Sequence, residues 1–414
     1  MSATRPRPPG APAFDRATEG LRGMAALMVV YTHMLTPFPH LDPGYAVSPL
    51  FWAIETSQGA VLLFFVLSGY VIGLTNSGPC TVSRGADYAR RRALRLVPLY
   101  VLAVFLGVMA VPTDSWRTIG ANLLFLENKL PYGSVLLPPI AGNSNLWTLN
   151  YEVLYYSLFP LIWLRPERWP VWLGGSVALG VAGWWLPAGQ ALLTGYAVGW
   201  TFWLGGYALA RARSVSPATE APLPWPSLLL LWSAIWLLKP GWHIAHRFGL
   251  LYDHPDLWIN WSFYDFLPPC LCLMMVTTGR RPRIHRWLVT GTLLLPVCFL
   301  LWTILRGRAS DILTNAGTYY SVTAVALWKW RPANHAFVRL APIGGISYGI
   351  YIFHSPIQYL IAELSFLPAG SLASYLLRCA LGLGAAFLLA WWAEKRLQPW
   401  IRAKLSRRPV PARD

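Results

Sequence analysis

EGLRGMAALMVVYTH, Glu19 to His33, opens as a membrane-spanning helix should, with Arg22 at one end, and then carries a histidine where hydrocarbon is expected. His33 comes eleven positions after Arg22, close to three helical turns, so the two share one helix face roughly 16 Å apart along the axis. An ionisable side chain inside a membrane helix is costly to insert. It faces a protein interior or a water-filled path, and it is a functional candidate by default.

The rest of the chain supports a membrane setting for this stretch. Of 414 residues, 55% are hydrophobic and 12% charged, and the mean hydropathy is +0.42. A soluble globular chain has about a quarter of its residues charged. The 23 tryptophans suit membrane interfaces, where the ring is buried and the indole N–H stays wet. A net charge of +17 could point to nucleic acid, but the basic residues sit in short clusters between apolar runs. Cytoplasmic anchoring explains that pattern better than a nucleic-acid partner. The five cysteines show no metal-ligand spacing and read as inert helix residues, so no metal is expected.

Apolar runs near 17–36, 57–75, 93–112, 147–164, 169–186, 190–210, 225–238, 260–278, 287–305, 311–328, 343–362 and 371–393 predict an all-α, polytopic integral membrane helical bundle of about 10–12 transmembrane helices. The N-terminus is placed inside because the outer segments then hold only Arg117, Lys129, Lys239, Arg247, Arg306 and Arg308. Apart from Arg378, within the last run, every other Lys and Arg falls on the inner side, as cytoplasmic loops require. Both termini are therefore expected in the cytoplasm. Residues 1–16 read as an N-terminal tail, 17–395 as the transmembrane domain and 396–414 as a basic C-terminal tail. The outer segments near 37–56, 113–146 and 239–259 are rich in Pro, Gly, Asn, Asp, Trp and Tyr. That mixture suits contact with sugars and equally suits ordinary interfacial loops.

Four further stretches carry candidate residues. In LWTLNYEVLYY, Glu152 lies about 8 Å inside the boundary at Trp147, a depth similar to that of His33, which suggests neighbours. A carboxylate beside an imidazole makes a general base; each could equally tie helices together on its own. In YARRRALRLVPLY, residues 88–100, Arg92 and Arg95 share a face at the inner mouth. They suit bidentate contact with phosphates, although a positive-inside cluster needs no ligand. GGISYGIYIFHSP, residues 344–356, places Ser347, Tyr348, Tyr351 and His354 along a helix whose polar stripe must face the bundle interior. Ser68 and Tyr70, in GAVLLFFVLSGYVIG, interrupt an otherwise apolar run, and Gly69 allows close helix approach.

Taken together these segments resemble acyltransferase family 3, membrane O-acyltransferases that modify bacterial surface glycans. Arg22 and His33 match that family's first-helix arginine and histidine, separated by ten residues. FFVLSGYVI resembles its second-helix signature, Arg92-Ala-Leu-Arg95 its arginine pair, LWTLNYEVLYY its Trp-Ser-Leu-x-x-Glu element and ISYGIYIFH its late Ile-Ser-Tyr helix. Glu19 stands where Asp is common, Thr148 replaces Ser, and Val153 replaces the second Glu of a frequent pair, leaving Glu152 alone there. The resemblance implies catalytic roles for His33, Glu152 and Arg22, acyl-CoA binding by Arg92 and Arg95, and a site lined by Ser68, Tyr70, Tyr348 and His354. It implies acyl-CoA, most simply acetyl-CoA, as co-substrate with no bound cofactor, and a glycan or glycolipid acceptor outside the inner (plasma) membrane. His33 would act as base or as a transient acyl carrier. The rival reading is a polytopic transporter or flippase of surface-glycan precursors.

Overall fold

A computed structural model describes residues 16–36, 41–54, 57–127, 137–182, 191–212, 223–247, 261–305, 312–332 and 335–406. Most of the expected N-terminal tail and the last eight residues of the C-terminal tail lie outside that set. The longer helices are α1 (Arg16–Leu35), α2 (Ser57–Thr75), α3 (Val82–Ala110), α4 (Trp147–Leu164), α5 (Trp169–Ala182), α6 (Ala191–Arg211), α7 (Trp225–Leu238), α8 (Leu267–Thr278), α9 (His285–Leu305), α10 (Ile312–Ala326), α11 (His335–Gly344), α12 (Ser347–Ala362), α13 (Leu372–Trp392) and α14 (Gln398–Ser406). Every apolar run of the sequence overlaps one of them.

The number of crossings differs from expectation. Among the described residues four helices are long and apolar enough to cross a membrane, those containing α2, α3, α9 and α13, and the bent pair α11 and α12 would make a fifth. The reason lies in helix length and polarity. α7, α8 and α12 have 14, 12 and 16 residues, short of a full span. α1 is 20 residues long but carries Arg16, Glu19, Arg22 and His33.

Helix contacts are set by small residues. A Cβ on Gly20 would lie 1.6 Å from the Phe337 carbonyl oxygen, and one on Gly344 would lie 1.9 Å from that of Glu19. Backbone therefore meets backbone where α1 crosses α11. The same device joins α2 to α6, where Cβ atoms on Gly69 and Gly206 would each lie 1.9 Å from a carbonyl oxygen, of Trp203 and Val66. α1 also packs on α2 and α12.

The apolar run 343–362 is not one helix. α11 and α12 meet at 64° across Gly345 and Ile346. The break leaves the Gly344 carbonyl without an intrahelical donor, one of the groups every helix end must satisfy elsewhere. It accepts hydrogen bonds from Arg22 Nη2 at 2.5 Å, Arg22 Nε at 3.1 Å and Ser347 Oγ at 2.9 Å. At the other side of the same break, Glu394 Oε1 accepts from the Gly349 N–H at 2.7 Å, placing a carboxylate at the α12 N-terminus. Glu394 lies in a π-helical turn, Ala393–Leu397, between α13 and α14.

Candidate active site

α4 and α12 run antiparallel, and their polar residues form rungs. At one end Asn145, in the 3-10 segment Ala141–Leu146 that feeds α4, puts its amide Nδ2 3.1 Å from His354 Nε2. The same His354 Nε2 lies 3.0 Å from His33 Nδ1, and the two imidazole centroids are 5.0 Å apart. Thr148 and Tyr351 form the next rung, their hydroxyls 2.7 Å apart and both within hydrogen-bonding reach of the Asn145 carbonyl. A further turn inward, Glu152 Oε1 accepts a short hydrogen bond from the Tyr156 hydroxyl and another from Ser68 Oγ at 3.2 Å.

The Thr148–Tyr351 and Glu152–Ser68 rungs border a cavity of about 80 Å³, and the Asn145–His354–His33 rung, with His354 expected to line the site, lies next to that lining and outside it. Its polar lining is Arg22, Ser68, Arg95, Thr148, Glu152, Ser347, Tyr348 and Tyr351, and its apolar wall includes Val61, Phe64, Phe65, Leu67, Val71, Leu96 and Leu149. Tyr348 donates to the Leu96 carbonyl at 3.0 Å, fixing its ring between α12 and α3. Arg22, Arg95 and Glu394 are close enough to feel one another's charge, as are Arg95 and Glu152. The guanidinium of Arg95 makes no side-chain hydrogen bond among the described residues, while its backbone carbonyl is held by Gln398 Nε2 at 2.6 Å. An arginine fork left for something else, at the end of an apolar cleft, suits an anionic group.

Two residues expected at the site stand differently. Arg92 does not line the cavity; its guanidinium carbon lies 5.5 Å from the Tyr156 ring centre and 5.7 Å from that of Tyr88, and its Nε is buried without a partner. Tyr70 is buried in the α2–α6 seam, with Arg280 over its ring at 6.0 Å. The expected neighbourhood of His33 and Glu152 is also revised. His33 has the His354 imidazole beside it, whereas Glu152 is held by Ser68 and Tyr156. Seven residues, about 10 Å of helix, separate Glu152 from Asn145, which is the α4-side residue level with His33.

Sequence reasoning passed over Asn145, Tyr156 and Glu394. Tyr156 had a signal, because it sits four residues after Glu152 on the same helix face. Asn145 precedes the helix, and Glu394 follows a long apolar helix, so neither shares a periodic face with the other site residues.

Comparison with known proteins gives this arrangement a context. The family model described as an acyltransferase domain, acyltransferase 3, matches residues 15–290. Acyltransferase MdmB of Streptomyces mycarofaciens is 27% identical over 228 residues, 53% of this chain and 51% of that protein. Exopolysaccharide production protein ExoZ of Rhizobium meliloti (strain 1021) is 29% identical over 132 residues, 29% of this chain and 39% of that protein. The match thus spans about half the length of the first and two fifths of the second. No solved structure matches significantly. With the family model covering well over half of its residues, including Arg22, His33, Arg95 and Glu152, the chain belongs to acyltransferase family 3.

Proposed function

We propose that this protein is a multi-pass inner-membrane O-acyltransferase that moves an acyl group, most simply acetyl, from cytoplasmic acyl-CoA to a hydroxyl of an extracytoplasmic glycan. Both termini lie in the cytoplasm, which puts the arginines at the inner mouth and His33 toward the outer side. The observation that carries this reading is a cavity with Arg22 and Arg95 at one end, whose last polar rung, Thr148 and Tyr351, touches Asn145 and through it the His354–His33 pair. A long, thin donor with an anionic head and a reactive tip matches that polarity. Phosphates suit Arg95, with Arg22 and Arg92 adding positive charge. The apolar wall suits a pantetheine arm.

Transfer then needs one proton relay. The acceptor O–H gives its proton to His33 as the oxygen bonds the thioester carbonyl carbon, the C–S bond breaks, and the leaving sulfur takes that proton from the imidazolium. If His33 carries the acyl group instead, its ring nitrogen bonds the carbonyl carbon as the C–S bond breaks and the thiolate leaves; the acceptor oxygen then bonds that carbon as the N–C bond breaks, and the acceptor proton ends on the thiolate. Glycan acceptors are the natural partner given that ExoZ is named for exopolysaccharide production.

The test is reconstitution of the purified protein in liposomes with acetyl-CoA supplied on one side and isolated surface glycan on the other. Thiol release coupled to new glycan O-acetyl signals by NMR supports the proposal. Solute movement without thiol release rejects it in favour of a transporter.

A further inference from the structure

We propose that His354 is a positioning residue that holds His33 in the tautomer protonated on Nδ1, so that Nε2 carries the lone pair used on the acyl group or the acceptor hydroxyl. Only the last clause rests on the acyltransferase reading. The tautomer follows from a chain of donors and acceptors that closes in one way.

The chain starts at a group whose role is fixed. The Ile350 carbonyl can only accept, and it lies 3.1 Å from His354 Nδ1, so that nitrogen carries a proton. In a neutral ring the other nitrogen, Nε2, then bears the lone pair. Asn145 Nδ2, a donor, approaches Nε2 at 3.1 Å, which agrees. His33 Nδ1 approaches the same Nε2 at 3.0 Å. Two lone pairs at that distance would repel, so His33 Nδ1 must present its proton, and His354 Nε2 accepts from both donors in a three-centre bond.

The alternative is a cationic His354 donating through both nitrogens. It would put an imidazolium at 1% exposure with an amide, a carbonyl and an imidazole as hydrogen-bond partners and no carboxylate among them. Burying a charge without an opposite partner is strongly unfavourable. The arrangement has the logic of a catalytic histidine oriented by a hydrogen bond to its Nδ1, with a neutral imidazole as the orienting group in place of a carboxylate. A neutral orienter fixes the tautomer without stabilising the imidazolium, so His33 is set as a ring with a defined lone pair and not as a standing cation.

The experiment has two arms. Protein labelled with ¹⁵N-histidine, in lipid at neutral pH, is read by nitrogen chemical shifts, with the His33 signals identified by their loss in His33→Ala. The expected result is a neutral His33 protonated on Nδ1. Protonation on Nε2, or on both nitrogens, overturns the proposal, and this reading needs no variant other than the assignment control.

In the second arm, His354→Leu removes the acceptor while His354→Gln can supply an amide oxygen to the same Nδ1–H. His354→Leu should populate the Nε2–H tautomer of His33 and lower kcat by about 10²-fold or more, with KM for acyl-CoA little changed, because the arginine end is untouched. His354→Gln should recover about tenfold of that loss. Unchanged tautomer and kcat in the folded Leu variant would overturn the proposal. If the tautomers behave as expected but the wild-type protein transfers no acyl group, the proposed function fails and the tautomer assignment stands.

Discussion

The histidine end and the arginine end of this site are built on opposite principles. At the first, His354 bonds to groups without formal charge and to a second imidazole, Ile350, Asn145 and His33, and Asn145 bonds on to Tyr351 and Thr148. At the second, Arg22, Arg95, Glu152 and Glu394 bring four formal charges together, and the Arg95 guanidinium makes no side-chain hydrogen bond among the described residues. A closed neutral network fixes orientation, which is what a reacting group requires. An open charged cluster keeps capacity for a ligand's charge. Under the proposed function, the difference puts chemistry at one end and binding at the other.

The comparison predicts the ranking of losses. His33→Ala should abolish glycan O-acylation with protein abundance near normal, because it deletes the reacting ring and leaves the α1–α11 and α2–α6 glycine contacts intact. Glycan NMR with immunoblotting checks this, and wild-type acylation in that variant would move the chemistry away from the histidine end.

The next effect belongs to the arginines and should fall on binding. Arg95→Ala should raise KM for acyl-CoA about tenfold or more at nearly constant kcat, the loss expected for one charge-assisted phosphate contact. Arg92→Ala should do less, since its guanidinium is stacked on Tyr88 and Tyr156 outside the cavity lining. Titration of purified variants with acyl-CoA measures both. Equal effects would mean that the cluster acts by summed charge and not through Arg95.

Glu152 stands between the two ends and tests whether they are separate. Glu152→Gln keeps shape and should lower activity about tenfold by removing the charge beside Arg95 and Tyr156. Glu152 shares no hydrogen-bond partner with His354, so Glu152→Gln and His354→Gln should multiply in the double variant. A double variant no worse than the poorer single would show that the two ends act as one unit.

What the sequence made legible follows from which signals are local. Apolar runs gave the helices, and helical spacing put Arg22 and His33 on one face, because those patterns live within about twenty residues. The bond from Arg22 to the Gly344 carbonyl spans 322 positions and ends on backbone, which carries no residue identity. The break at Gly345 and Ile346 is hidden in an apolar run for the same reason. Glu152 was set beside His33 by measuring depth from Trp147. The interior begins earlier, at the buried Asn143 and Asn145 of the preceding 3-10 segment, and that moves Glu152 inward relative to His33. Crossing number suffered because runs of apolar composition do not fix where each helix stops.

The smallest effect lies outside both ends, in the latch that closes the loop after α1 onto α13. Asp42 Oδ1 accepts from the Gly44 and Gly370 amides at 3.1 and 2.9 Å, and Ser374 donates a short hydrogen bond to Oδ2. Burial opposes ionisation of this carboxyl, but the bonds from Ser374, Gly370 and Gly44, with the charge of Arg378, hold it below the ordinary carboxylate range. A group whose folded-state pKa is depressed contributes stability above its unfolded pKa, near 3.9, and loses it as pH falls through the folded value. The latch should therefore be fully formed at every pH from neutral down to about 5 and weaken only in stronger acid. Asp42→Asn keeps an oxygen for the two amides but replaces the charged acceptor facing Ser374, which should cost about 1–2 kcal/mol at neutral pH. Thermal unfolding in detergent should show that loss shrinking as pH drops below about 4, where the unfolded-state carboxyl takes up its proton first, and gone once the pH passes the lower folded value. A pH-independent loss would make Asp42 a plain hydrogen-bonding residue, and a change in acyl transfer at neutral pH would extend the histidine end to include this latch.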